Sequence, residues 1–254
     1  MQRPSVPLVF AAALGACVAS NGDEGIFVTK NVAPGADCSF TADVAEPFVS
    51  HGTIDLRSPS GYRFHPQMQS RISADAGQED ARTVLLRGAR VDIDLVSTDA
   101  SGNKLFSTSE LAALKTAGAT HFQSLFSAPL RPNGGIADGA FELIPTSLLQ
   151  AIAEKAGSST ASFRTELVGK VVVFGDMSGD EITSQEFQFP VTVCNDCVVN
   201  VLEDGTGAPL TCPVPAGTVV EQGNSCNPFQ DGTVDCCSAG TSLQCPATVA
   251  TAAR

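Results

Sequence analysis

The chain has 254 residues, 43% of them hydrophobic and 17% charged, which suits a water-soluble fold of one ordinary domain plus a smaller appendage. A net charge of −12 leaves no room for the basic face that a DNA or RNA binder needs, so nucleic acid is excluded as an expected partner. No stretch reaches the roughly 18 consecutive apolar residues of a membrane-spanning helix.

The chain opens on Arg3 and a short apolar run, Leu8 to Ala16, containing Leu8, Val9, Phe10 and Leu14. It closes on Leu14-Gly15-Ala16-Cys17. A basic start, an apolar stretch too short to span and then small residues is the order of a secretory signal. Small side chains before the cut let the backbone lie in a peptidase groove, and the cysteine after them supplies a thiol for a diacylglycerol group. Leu14-Gly15-Ala16-Cys17 resembles the lipobox of bacterial lipoproteins. The resemblance implies a signal peptide over 1–16, cleavage before Cys17, acylation of Cys17 and attachment to a membrane through that lipid. Val18, where an Asp would mark retention, implies outer-membrane delivery. Residues 17–25, small and polar after the cysteine, are expected to form a tether.

From residue 26 to 197 the pattern is of short strands broken by turn residues. Ile26 to Thr29 is a β-branched and aromatic run ended by Pro34-Gly35, and Gly52 to Leu56 leads into the turn Ser58-Pro59-Ser60-Gly61 with Tyr62 to Met68 beyond it. Thr83 to Val96 carries Val84, Leu86, Val91, Ile93 and Leu95, alternating with period two only in its second half. Ser107-Thr108-Ser109-Glu110 is a capping box, predicting a helix over Leu111 to Ala117 that Gly118 stops. A second helix is predicted over Ser147 to Ala156, opened by Thr146 and stopped by Gly157. Phe163 to Phe174 alternates, the turn Ser178-Gly179-Asp180-Glu181 follows, and Phe187, Phe189 and Val191 alternate again, which predicts a hairpin. Many short strands with two helical insertions predict a mainly β fold, an antiparallel β-sandwich.

The composition changes near Cys194. Between Val198 and Ala253 there is no Lys or Arg and one aromatic, Phe229, while Gly and Pro recur. Such a segment buries too little apolar surface to fold unaided, so residues 198–254 are expected to be stapled by disulfides. Nine cysteines would leave one orphan thiol; removing Cys17 leaves Cys38, Cys194, Cys197, Cys212, Cys226, Cys236, Cys237 and Cys245, a set compatible with four bridges in an oxidising compartment. Pairing is open among 105 possibilities. Cys38, isolated near the start of the sandwich, is expected to bond Cys194 or Cys197 and so tie its first and last strands.

Candidate chemistry is sparse. Cys194-Asn195-Asp196-Cys197 has the spacing of a redox dithiol or half a zinc site, but it follows a strand instead of opening a helix, and no second Cys-x-x-Cys completes a metal site. Structural disulfides are the expectation, with no metal or cofactor. Asp99, Ser101, Asn103, Ser107 and Glu110 stand at calcium-loop positions, yet Lys104 occupies the position that needs Gly, so a turn followed by a capped helix is expected there. Asp176-Met177-Ser178-Gly179-Asp180-Glu181 is expected to be a turn only. No Gly-x-Ser-x-Gly, His-Glu-x-x-His or phosphate-binding loop is present, and His51, His65 and His121 lack ligand spacing.

The block from Gly179 to Cys197, ending Phe189-Pro190-Val191-Thr192-Val193-Cys194-Asn195-Asp196-Cys197, resembles one in lipoproteins of myxobacteria and their relatives, where a strand hairpin precedes a cysteine-rich tail. That resemblance implies a compartment and a lineage, and no activity. The expected function is a lipid-anchored envelope protein whose sandwich binds an envelope protein or wall component, or serves a structural role. A hydrolase built on carboxylates or on His51 and His65, and a calcium-stabilised adhesin-like module, are the alternatives.

Overall fold

The computed structural model describes residues 25–41, 43, 45, 47–95, 104–157 and 163–250. Its largest sheet has the order β3 (Gly52–Asp55), β12 (Phe187–Cys194), β10 (Arg164–Met177), β6 (Val84–Leu95) and β7 (His121–Leu130), with β11 (Asp180–Thr183) folded back on β10. All its pairings are antiparallel except β3 with β12. A second sheet, β2 (Phe48–Val49), β1 (Ile26–Val32), β5 (Pro66–Ser70) and β8 (Ile136–Asp138), is antiparallel throughout, as is the pair β4 (Tyr62–Phe64) with β9 (Phe141–Ile144). The fold is mainly β and sandwich-like.

Alternation builds its core. Along β10 the odd residues Leu167, Val171 and Val173 are buried, and along β12 Phe189, Val191 and Val193 are, so both strands present one apolar face. β6 presents Val84 and Leu86, then changes parity to Ala89, Val91 and Ile93. A bulge at Arg87–Gly88 shifts the register with both neighbours and restores the face, which is why the sequence alternates only in the second half of this strand. Gly88 is required there: a Cβ would lie 2.3 Å from the Ser124 carbonyl oxygen of β7. Against this face pack Tyr62, Phe64, Phe141, Leu143 and the buried side of α2 (Thr146–Ala156), Leu148, Leu149 and Ile152. Phe64 meets Phe141, Phe187 and Phe189 at centroid distances of 5.1–6.1 Å, tilted or edge-on, the preferred aromatic geometry.

The local signals behave as their chemistry requires. α1 (Thr108–Thr116) carries the complete capping box, with Ser107 and Glu110 each receiving the other's backbone N–H. α2 begins one residue earlier than predicted, at Thr146, because Pro145 takes the N-cap position without a side-chain bond. The β10–β11 turn has both central residues, Ser178 and Gly179, at positive φ (55° and 96°), the type I′ hairpin geometry. The run from Tyr62 to Met68 divides into β4 and β5, which join different sheets. Among the described residues no helix is long and apolar enough to cross a membrane.

The C-terminal part forms a three-stranded sheet of β13 (Val199–Val201), β14 (Val234–Ala239) and β15 (Ser242–Gln244). Its own apolar cluster contains three buried residues, Val214, Cys237 and Ala247. Cys212–Cys237 and Cys236–Cys245 staple it. The expected pairing of Cys38 is corrected: Cys38 bonds Cys226, and Cys194 bonds Cys197. The loop after β1 points at the tail, where Ser225 accepts the Cys38 N–H and donates to the Gly35 carbonyl, whereas Cys194 ends β12 on the other side of β3. By chain entropy alone, the 188-residue separation of Cys38 and Cys226 corresponds to about 5 kcal/mol, and the three-residue separation of Cys194 and Cys197 to about 2 kcal/mol.

Candidate functional site

The outer face of the large sheet, where β3, β12 and β10 meet, collects a row of interacting polar side chains. Register places Thr53, Thr192 and Glu166 in one cross-strand row and Asp55, Cys194 and Arg164 in the next. In the first row the Thr192 hydroxyl donates to Glu166 Oε1 (2.6 Å) and receives Arg164 Nη2 (3.2 Å). His51 Nε2 lies 2.7 Å from the same oxygen. A hydroxyl has one proton, and Glu166 takes it, so His51 is the donor on its side. Thr192 is only 1% exposed and fully engaged, so its hydroxyl is not presented to solvent.

The tail covers the open edge of β3. The Asp55 N–H donates to the Phe229 carbonyl and Asp231 N–H to the Thr53 carbonyl, so residues 229–231 run along the strand and shield its edge. Asp231 then turns its carboxylate inward. Oδ1 receives Thr53 N–H (2.7 Å), and Oδ2 receives the Tyr62 hydroxyl (2.7 Å) and Gln230 Nε2 (3.0 Å). Asn31 Nδ2 donates to the Tyr62 oxygen at 3.2 Å. Burial holds the Asp231 carboxyl above its ordinary range against these hydrogen bonds, and burial with the Asp231 charge pushes the Tyr62 phenol well above 10. Asn227 and Gln230 fasten the same segment to Ser58 and Arg63. Nothing in the sequence announces this network, because its members stand about 170 residues apart and each looks like an ordinary loop or strand residue.

In the second row, Cys194 and Cys197 are bonded, and the sulfurs and a carboxylate oxygen of Asp55 lie within 4.8 Å of one another. Asp55 and Cys194 are buried, whereas Cys197 is exposed. Asp55 Oδ1 accepts Arg57 N–H and Oδ2 accepts Cys197 N–H, both at 3.0 Å. Burial raises the Asp55 carboxyl, the nearby Asp196 charge adds to the rise, and the two N–H groups and the Arg57 charge oppose it. Arg57 pairs with Asp196 at 2.5 Å.

Two shallow grooves flank this seam. One, of about 600 Å³, lies between the sheets and is lined by Asn31, Pro47, Phe48, Val49, Phe187 and Phe189. β3 pairs with β12 only from Val191 onward, so the earlier part of β12 is left to form a wall of the groove. Phe48 is 63% exposed there. The other groove, of about 640 Å³, shares Val49 and runs along Pro34, Gly35, Asn224, Ser225 and Asp231.

The histidines are dispersed in kind as well as in place. His51 belongs to the seam. His121 pairs with Asp92 at 2.5 Å on an exposed strand. His65 is buried, with neither ring nitrogen hydrogen-bonded, and stacks on Phe40 at a centroid distance of 3.3 Å. Desolvation, helped by Arg63, lowers its pKa to about 4. Of the calcium-loop positions, Asp99, Ser101 and Asn103 lie outside the described residues, as does Cys17. Glu110 is described, and its carboxylate is engaged by Lys155 and by Ser107 N–H and hydroxyl, which lower it to about 2. No family model, curated protein or solved structure matches the chain.

Proposed function

We propose that this chain is an exported lipoprotein, held to the bacterial envelope through an acylated Cys17, whose sandwich has a binding or structural role there. The observation that carries the proposal is the cysteine pairing. Cys38–Cys226, Cys194–Cys197, Cys212–Cys237 and Cys236–Cys245 use eight of the nine cysteines and leave Cys17, in its lipobox-like context, as the thiol without a disulfide partner. Four bridges suit an oxidising compartment, and one lipidated cysteine accounts for the odd thiol. The outer membrane is the destination this reading assigns.

The groove with the exposed Phe48 is the surface we assign to an envelope protein or wall component, since an exposed aromatic beside polar groups offers both apolar area and orientation. The carboxylate of Glu110, already engaged by the capping box and Lys155, weighs against the calcium-module alternative. The test is mass spectrometry of the mature N-terminus from the native envelope, paired with fractionation of Cys17→Ala. The expected result is an acylated cysteine as first residue and loss of the variant from the membrane fraction. An unmodified leader still attached overturns the proposal.

A further inference from the structure

The Cys194–Cys197 bridge contrasts with the other three in what it ties. Cys38–Cys226 joins the loop after β1 to the tail, and Cys212–Cys237 and Cys236–Cys245 hold a segment with almost no apolar core. Cys194–Cys197 spans three positions at the end of β12, where ladders to β10 on one side and β3 on the other already hold Cys194, the latter reinforced by Leu56 N–H to the Cys194 carbonyl. It closes the smallest loop and removes the least chain entropy. Its surroundings are those of a reactive bond. Cys197 is an exposed residue, Cys194 is a buried one, and a buried carboxylate stands within 4.8 Å of both sulfurs.

We infer that Cys194 and Cys197 form an exchangeable disulfide–dithiol centre, which trades two electrons with a thiol-bearing partner, and that Asp55 is its proton donor and acceptor. In the opening direction a thiolate of a partner dithiol attacks Cys197 Sγ. A mixed disulfide forms, the Cys194–Cys197 bond breaks, and its electron pair goes to Cys194 Sγ, which takes the proton of the Asp55 carboxyl. The partner's second thiolate then attacks its own sulfur in the mixed disulfide. The partner's disulfide forms, and Cys197 leaves as a thiolate that collects a proton from water. The partner dithiol is oxidised by two electrons and the Cys194–Cys197 pair is reduced to a dithiol. A disulfide-bearing partner runs the same steps backwards, with Asp55 taking the Cys194 proton so that Cys194 can attack.

A redox pair at a helix N-terminus draws its reactivity from the helix dipole. Here the pair follows a strand, and the charges that face it must act instead: Asp55 from β3, Arg57 just beyond it in ion pair with Asp196, and Arg164 across from Cys194 on β10. A carboxyl that burial holds protonated to higher pH than usual is suited to deliver a proton to a departing thiolate. The inference does not depend on the lipid anchor and stands or falls separately from it.

The experiment exposes the purified full chain to graded dithiothreitol, quenches with acid, alkylates, and maps each cysteine by peptide mass spectrometry. Cys194–Cys197 is expected to open at about tenfold lower reductant than Cys38–Cys226, although Cys38 is exposed as well, because a buried carboxyl stands beside its leaving sulfur to protonate it. Opening of all four pairs together, or of Cys194–Cys197 last, overturns the inference. For Asp55→Asn the opening rate per unit of thiolate is expected to fall about tenfold at the acid end of a pH series, where the wild-type carboxyl carries its proton. It also loses the decline with rising pH that the wild-type chain shows as Asp55 deprotonates; an unchanged pH profile removes the role of Asp55. Cys194→Ser, which keeps the exposed Cys197, is expected to collect one glutathione from oxidised glutathione, and Cys197→Ser, which keeps the buried Cys194, to collect none. Equal labelling of the two variants contradicts the assignment of Cys197 as the attacked sulfur.

Discussion

The sandwich and the tail are held by different forces. The sandwich buries an unbroken set of large side chains, from Leu86 and Val91 on β6 to Phe64 and Phe189 at its aromatic centre. The tail buries three residues in its own cluster and relies on disulfides within itself and on one disulfide, Cys38–Cys226, with hydrogen bonds from Asn227, Gln230 and Asp231, to reach the sandwich. The difference shows that apolar burial can be replaced by covalent constraint where small and turn-forming residues predominate, and that the join between two such regions falls to buried polar groups. Substitutions that strike one mode of cohesion and spare the other test this.

The largest effect is expected in the sandwich. Phe189 is 1% exposed and touches both Tyr62 and Phe64, so Phe189→Ala removes an aromatic from the centre and leaves a cavity. The expected loss is about 3–5 kcal/mol of global stability, read as a lower urea midpoint by intrinsic tyrosine fluorescence and circular dichroism together. The tail's internal bridges, Cys212–Cys237 and Cys236–Cys245, should remain intact in the unfolded chain, since their formation does not rest on this core. A loss below 1 kcal/mol would show that the sandwich does not depend on its aromatic centre.

Next comes the joint. Cys226→Ser, made together with Cys38→Ser so that no free thiol is left, is expected to cost about 2–5 kcal/mol. Its signature differs from that of Phe189→Ala: amide exchange should accelerate first around residues 224–231 and along the β3 edge they cover, while the ladder between β6 and β10 stays protected. Uniform acceleration across both regions would mean that the tail and sandwich unfold as one unit.

How much of this was legible in sequence follows the same division. The faces of β10 and β12 could be read because every second residue marks the inward face, from Thr165 to Val173 on β10 and from Phe187 to Val193 on β12, and α1 could be read because Ser107 and Glu110 are three residues apart. β7 could not. It lies at the sheet edge, its alternation is shallow, Leu125 is 76% exposed where a polar residue would mark the outer face, and Pro129 breaks the pattern, as edge strands tolerate. The disulfide pairing was illegible because sequence counts thiols and not the direction of the loops that carry them. Asp55 and Asp231 escaped notice for a related reason. A carboxylate becomes unusual only when a distant segment covers it, and the segment that runs beside both, residues 229–231, comes from the far end of the chain.

His65 gives the smallest of the three effects and the one that varies with acidity. It sits between β4 and β5 and stacks on Phe40, which follows Cys38 by two residues, so it packs where the Cys38 loop meets the sandwich. Buried, with neither ring nitrogen hydrogen-bonded, the imidazole stays neutral in the folded chain down to a pKa of about 4, against 6.5 in the unfolded chain. Above pH 6.5 both states hold it neutral and it does not tilt the balance. As the pH falls from 6.5 towards 4 the unfolded chain binds a proton that the folded chain refuses, and stability declines. The full decline has a ceiling of about 3 kcal/mol. His65→Phe keeps an aromatic ring against Phe40 and removes the titration, so its stability should run flatter than wild type across that window, with urea midpoints at pH 7 equal or slightly higher. If the two chains lose stability in parallel between pH 6.5 and 4, the acid sensitivity lies elsewhere, and the junction is held by the disulfide and the Asp231 hydrogen bonds without any contribution from His65.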